Sequence, residues 1–272
     1  VGLSPRAGTV WVRAIRNILV GLGGALVVVS ATPLSPGSYL VLLVVSLLWL
    51  AGEAFRRRVP GRLVLGLRAA AVMAWLMAVL VEAPYHVVPR VPPLGRPVLG
   101  IIGDSVTSGL GEPRTGTWPG LLARRHGVPI RDHSEAGATA RSASGQAEAL
   151  SADEQLVLLE IGGNDLLGGA RPEEFAAGLE TLLTAVSRPG RVVVMLELPL
   201  PPFSNEFGRV QRRLARRHRV LLVPKRVFLG VLQQEGATFD SIHLTPEGHD
   251  RMAAEVWEVV RGAYREPDSR VR

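Results

Sequence analysis

The amino-acid sequence predicts a three-layer α/β/α domain on a five-stranded parallel sheet, preceded by about three transmembrane helices. Three observations predict it. Short β-branched runs alternate with helical patterns over residues 98–265. Three apolar segments crowd residues 1–82, and a proline-rich stretch, 83–97, divides the two regions. Residues 266–272 read as a tail.

At 272 residues the chain has room for one sizeable domain and an addition to it. Its charge is uneven. Residues 1–96 carry ten Arg or Lys against two acids, a net +8; the remaining 21 basic and 22 acidic residues leave −1. A basic chain raises the question of nucleic acid. Here the excess flanks apolar sequence, which points to a membrane surface and away from a nucleic-acid partner. There is no cysteine, which excludes disulfides and thiol catalysis.

The apolar segments are residues 18–31, 39–51 and 63–81. A spanning helix takes about 20 mostly apolar residues. The third reaches that length if Arg68 snorkels to the nearer interface. The first two need their flanks, 10–17 and 52–55. A buried helix pair in a larger core is the soluble alternative, and little polar sequence separates the segments. Arg6, Arg13 and Arg16 precede the first; Arg56, Arg57, Arg58 and Arg62 fill the loop before the third; the loop 32–38 is uncharged. The positive-inside rule then places the N-terminus and the arginine loop in the cytoplasm, and everything after Glu82 on the extracytoplasmic side. Trp11 and Trp49 suit the interface, whereas Trp75 is too central and should pack between helices. A rival reading makes residues 1–31 a signal peptide, with Val29-Ser30-Ala31 as its small-residue end. It leaves the later domain on the same side.

Five prolines make 83–97 an extended, stiff linker. Beyond it, 98–102, 128–132, 155–161, 191–198 and 220–223 read as buried strands. Residues 118–126, 172–187, 203–219 and 246–264 read as helices, Pro172 marking a helix start. Alternation of this kind argues for a parallel sheet covered on both faces, with flavodoxin-like order 2-1-3-4-5. In such a sheet ligands bind beyond the carboxyl ends of the strands where the order reverses, here between strands 1 and 3.

Four blocks fall near that point: Gly103-Asp104-Ser105-Val106 after strand 1, Gly137 after strand 2, Gly162-Gly163-Asn164-Asp165 after strand 3, and Asp240-Ser241-Ile242-His243 before the last helix. Together they supply a nucleophile, oxyanion donors and a base with an orienting carboxylate, the set acyl transfer requires. Each residue alone has a plainer reading. Ser105 fits a helix cap, Gly137 an ordinary turn glycine and Asp240 a turn residue. Among six histidines His243 alone has an acid three residues upstream in a loop, a spacing that lets Asp240 take an imidazole N–H and fix the tautomer. His86, His126, His133, His218 and His249 read as structural or surface residues. Asn164 offers a carboxamide to the oxyanion, and Asp165 is expected to hold the loop. The sequence has no His-Glu-x-x-His and no Gly-x-x-x-x-Gly-Lys, so neither a metal nor any other cofactor is expected.

These blocks resemble the SGNH (GDSL-type) hydrolase family over about residues 97–262, with Val106 where Leu is common. The stretches Trp118-Pro119-Gly120-Leu121-Leu122 and Leu159-Glu160-Ile161-Gly162-Gly163-Asn164-Asp165-Leu166 look most like its periplasmic thioesterase/lysophospholipase branch. The resemblance implies a Ser105–His243–Asp240 triad and an oxyanion hole from the Ser105 N–H, the Gly137 N–H and the Asn164 amide. It implies a hydrolase of carboxylic esters or thioesters; the anchor is not part of the family core, and the apolar segments add the expectation of a membrane tether, with membrane lipid and an acyl-ester substrate, lipid or acylated glycan, as partners. An envelope polysaccharide O-acetylesterase or O-acyltransferase is the alternative, and a binding domain that kept the fold without the activity is a third reading. One departure matters: the second block often carries Asn shortly before its glycine, and here reads Asp132-His133-Ser134, so that loop needs other support. The loops 166–171 and 199–207 are apolar and favour an acyl chain. The arginines at 209, 212, 213, 216, 217 and 219 read as a solvated helix face.

Overall fold

The computed structural model describes residues 5–265, and the expected tail 266–272 lies outside them, as do the side chains of Arg6 and Arg13. Two compact units divide the chain, Val1–Pro84 with Leu200–Asn205, and Tyr85–Pro199 with Glu206–Arg272.

The first unit holds α1 (Pro5–Val29), α2 (Pro36–Ala54) and α3 (Gly61–Glu82). Ser35 caps α2 by accepting the Ser38 N–H, and Pro36 stands in the first turn, where its missing N–H is harmless. Large apolar side chains face outward, among them Leu40, Leu43 and Leu47 of α2 and Leu65, Val72 and Leu80 of α3. Polar groups turn inward. Glu53 is buried and pairs with Arg68 and Arg16, while Trp75 donates its indole N–H to Ser46 Oγ at 3.1 Å between α2 and α3. Arg68 thus meets a carboxylate of the neighbouring helix. Two segments, Pro36–Ala54 and Gly61–His86, are long and apolar enough to cross a membrane. Among the described residues the apolar run of α1 covers Ile15–Val27, so two of the three expected spans are seen at full length.

The second unit is α/β. Its strands are β1 (Leu99–Gly103), β2 (Ile130–Asp132), β3 (Leu156–Glu160), β4 (Val192–Leu196) and β5 (Leu221–Val223), all parallel in the order β2-β1-β3-β4-β5. Strand number, direction and order are those expected. Helices α4 (Ser105–Ser108), α5 (Trp118–His126), α6 (Ala143–Glu148), α7 (Gly163–Leu167), α8 (Pro172–Val186), α9 (Asn205–Arg217), α10 (Lys225–Leu232) and α11 (Pro246–Val260) alternate with them. Side chains alternate across the sheet. Leu99, Ile101, Leu156 and Leu158 join Trp118 and Leu122 of α5 and Met252 and Val256 of α11 in one core. Helices α6 and α8 pack against each other, and the α8 residues Phe175, Leu179, Leu182 and Leu183 are fully buried. The expected helix over 203–219 is trimmed at both ends, because Phe203 (φ 68°) and Arg219 (φ 56°) are left-handed and cannot continue it.

Register positions the site. Gly103 at the end of β1 pairs with Glu160 at the end of β3, so the chain after each strand emerges side by side at the order reversal.

Candidate active site

The turn that carries Ser105 is held from three sides. Asp104 caps α4, its Oδ1 accepting the Val106 N–H at 3.0 Å. Gln146 clamps the strand end, accepting the Gly103 N–H and donating its amide to the Gly103 carbonyl, each at 3.0 Å. A Cβ on Gly103 would lie 2.5 Å from Thr107 Oγ1, so only glycine lets Thr107 fold back. Because α4 is a single turn, local N–H groups rather than a summed helix dipole act on Ser105.

His243 Nε2 lies 3.1 Å from Ser105 Oγ, and His243 Nδ1 lies 2.7 Å from Asp240 Oδ2. Asp240 only accepts, so Nδ1 carries the hydrogen and Nε2 faces the serine as an acceptor. Asp240 Oδ1 also accepts the backbone N–H groups of Ile242 (3.1 Å) and His243 (2.9 Å). The His243 N–H, then the imidazole itself, hold the Asp240 carboxyl down to about 2, ionised throughout the neutral range. The loop closes on itself: the Phe239 N–H donates to the His243 carbonyl at 2.9 Å, and Ser241 takes a left-handed φ of 76°.

Gly137 has a φ of 78°, a conformation glycine adopts without strain. Its loop is supported from strand 3, which answers the missing Asn: Asp165, buried, accepts the Ala140 N–H at 2.8 Å, as its expected loop-holding part requires, and Asp132 Oδ1 accepts the Ser134 N–H and hydroxyl. The Ser105 and Gly137 N–H groups have no acceptor among the described residues. Asn164, the expected carboxamide donor, is already engaged. Its Nδ2 donates to Asp104 Oδ2 (3.2 Å) and to the Ala138 carbonyl (3.0 Å), using both hydrogens. A half-buried amide beside a carboxylate bonds it rather than stand unpaired; donation to an oxyanion requires one bond to exchange.

Sequence reasoning passed over Asp104, Gln146 and Glu160 as site residues. An acid inside the apolar run 155–161 was the available signal, since a buried carboxyl must be paired or neutral. Two of the histidines without an acid three residues upstream have carboxylate partners from distant sequence. His133 Nε2 contacts Glu154 Oε1 at 2.7 Å and His218 Nε2 contacts Glu180 Oε1 at 2.9 Å, neither near a serine nucleophile; His249 is buried and accepts the Trp118 N–H at Nδ1. Among the described residues no three His, Asp or Glu side chains are grouped to hold a metal ion.

A parallel α/β sheet with a serine, an imidazole and a carboxylate in series at its carboxyl edge defines a serine ester hydrolase. More particularly, residues 101–251 match the model of the GDSL-like Lipase/Acylhydrolase family, and the chain belongs to that family. It is 29% identical over 175 residues to Esterase TesA of Pseudomonas aeruginosa, covering 59% of this chain and 86% of that protein. To the Arylesterase of Vibrio mimicus it is 28% identical over 165 residues, covering 56% and 82%. To Thioesterase 1/protease 1/lysophospholipase L1 of Escherichia coli K12 it is 26% identical over 152 residues, covering 53% and 73%. Among solved structures, the crystal structure of TesA superposes with a TM-score of 0.54 at 29% identity, covering 60% of this chain and 98% of that one.

Proposed function

We propose that the chain is a membrane-anchored serine hydrolase that cleaves carboxylic esters or thioesters through an acyl-enzyme, of the esterase/lysophospholipase kind. The observation that carries it is the continuous Asp240–His243–Ser105 chain of 2.7 and 3.1 Å contacts. His243 Nε2 removes the Ser105 proton as Oγ attacks the acyl carbon. The oxyanion forms against the unpartnered Ser105 and Gly137 N–H groups, joined by Asn164 on exchange of one of its bonds. His243 then protonates the departing alcohol or thiol, and water, activated by the same nitrogen, releases the acid. Asp240 keeps Nδ1 protonated and stabilises the transient imidazolium.

Leu110, Leu167 and Phe239, exposed on the stretches following the Ser105 and Asn164 blocks and preceding Asp240, support an acyl chain as the group bound. The names of the relatives, esterase, arylesterase and lysophospholipase, support the same class. The extracytoplasmic side does not depend on α1. With Arg56, Arg57 and Arg58 of the α2–α3 loop in the cytoplasm, α3 exits outward whether two helices or three cross.

A panel of p-nitrophenyl acyl esters of increasing chain length tests this on the purified full chain. Wild type should hydrolyse them and Ser105→Ala should lose at least about 10⁴-fold in kcat; equal rates for the two would end the proposal.

A further inference from the structure

Two buried carboxyls meet directly beneath the nucleophile turn. Asp104 and Glu160 are each 2% exposed; Asp104 follows Gly103, the register partner of Glu160, and Thr107 of the same turn donates to Glu160 at 2.8 Å, which sets the two carboxyls side by side. Two adjacent carboxylates cannot both ionise in a buried site, so one holds a proton. Donors decide which. Asp104 Oδ1 takes the Val106 N–H and its Oδ2 the Asn164 amide, both of which favour the anion there. Glu160 accepts the Thr107 hydroxyl at 2.8 Å on Oε2, which leaves its other oxygen able to donate an O–H toward Asp104. Burial first, and the Asp104 charge second, push Glu160 well above the usual carboxylate range. Burial raises Asp104 as well, against the Val106 N–H.

The pair braces the site. One Asp104 oxygen fixes the Ser105 turn and the other fixes Asn164, so this carboxylate ties the first block to the third. We infer that Glu160 is a positioning residue that works as a neutral acid, its O–H locking Asp104 and thereby the Ser105 turn and the Asn164 amide. The same proton spares the oxyanion a second negative charge at close range. Asp165 and His243 are the other ionisable groups acting on Asp104, and neither is a donor to Glu160.

The kinetic part rests on the ester-hydrolase reading above; the spectroscopic part does not. Glu160→Gln keeps a neutral donor of the same shape, Glu160→Leu removes it. On a p-nitrophenyl ester, Glu160→Gln should stay within about fivefold of wild-type kcat and lose any alkaline fall that wild type shows. Glu160→Leu should lose about 10²-fold in kcat with KM within about threefold, the scale of one disturbed oxyanion donor. Infrared spectroscopy at neutral pH should show a protonated carboxylic acid band in wild type that Glu160→Gln lacks. Wild-type kcat in Glu160→Leu, or equal loss in both variants, would overturn the inference. So would an acid band unchanged in Glu160→Gln, and that comparison decides the matter if Glu160→Leu does not fold or if no ester is turned over.

Discussion

Glu154 and Glu160 stand six residues apart, one just before β3 and one at its end, and both are buried. Their surroundings are opposite. Glu154, at the amino edge of the sheet, accepts the Ser151 N–H and hydroxyl, contacts His133 at 2.7 Å and lies 3.7 Å from Arg131. Burial raises it, but His133 and Ser151 outweigh that and leave it below the usual range. Glu160, at the carboxyl edge, has another acid for a neighbour and is pushed well up. The amino edge saturates its buried charge with donors and so serves stability. The carboxyl edge keeps an acid neutral beside a nucleophile, a costlier arrangement whose use is catalytic.

Breaking the two edges should therefore give different losses. At the carboxyl edge, Asp240→Asn removes the carboxylate that fixes the His243 tautomer, and kcat should fall about 10⁴-fold with the melting temperature nearly unchanged; a large thermal shift would show that Asp240 is structural. At the amino edge, Glu154→Leu strands the Ser151 N–H and the His133 ring, while Arg131 keeps Asp153, and should cost roughly 2–3 kcal/mol in denaturant unfolding. The folded fraction should keep its kcat; a large loss there would mean that the two edges are not separable.

His249 sharpens the comparison along the pH axis. Burial lowers it from 6.5 to about 4. The unfolded chain takes up this proton first, so the contribution is whole above about pH 6.5 and falls by about 3 kcal/mol as pH drops toward 4. Denaturant titrations of wild type and His249→Gln across that range measure it, and parallel curves would contradict it. The two glutamates should bend the same curves in opposite senses. Glu154, lowered, stabilises above its unfolded value and loses that as pH falls; Glu160, raised, stabilises below its unfolded value and loses that as pH rises. Glu160→Gln should therefore gain on wild type in stability as pH rises above the unfolded glutamate value, and a loss along that rise would contradict a protonated Glu160. Gly137→Ala is the smallest break. Its φ of 78° costs alanine about 1 kcal/mol, and kcat should drop about tenfold through the displaced N–H; an unaltered kcat would remove Gly137 from the oxyanion site.

Much of this architecture was legible because strands announce themselves by short apolar runs between glycines and prolines. The runs at 98–102 and 155–161 ended on Gly103 and Gly162, and topology did the rest by placing Ser105 beside Asn164. What stayed hidden depends on contacts between distant residues. Nothing in the local sequence shows that Asn164 spends both amide hydrogens on Asp104 and Ala138, or that Gln146 clamps Gly103 from 43 positions away. The short helices α6, α7 and α10 escaped because six, five and eight residues carry too little periodicity to read. In the anchor, α2 and α3 reach spanning length, and the described apolar run of α1 is Ile15–Val27.

The central claim is that Ser105 is the nucleophile. Intact-protein mass spectrometry after incubation with a fluorophosphonate tests it most directly. The account predicts one covalent adduct per chain, mapped to Ser105 and absent from Ser105→Ala and strongly slowed in His243→Ala. No adduct on folded wild type, or an adduct that persists in Ser105→Ala, would contradict it.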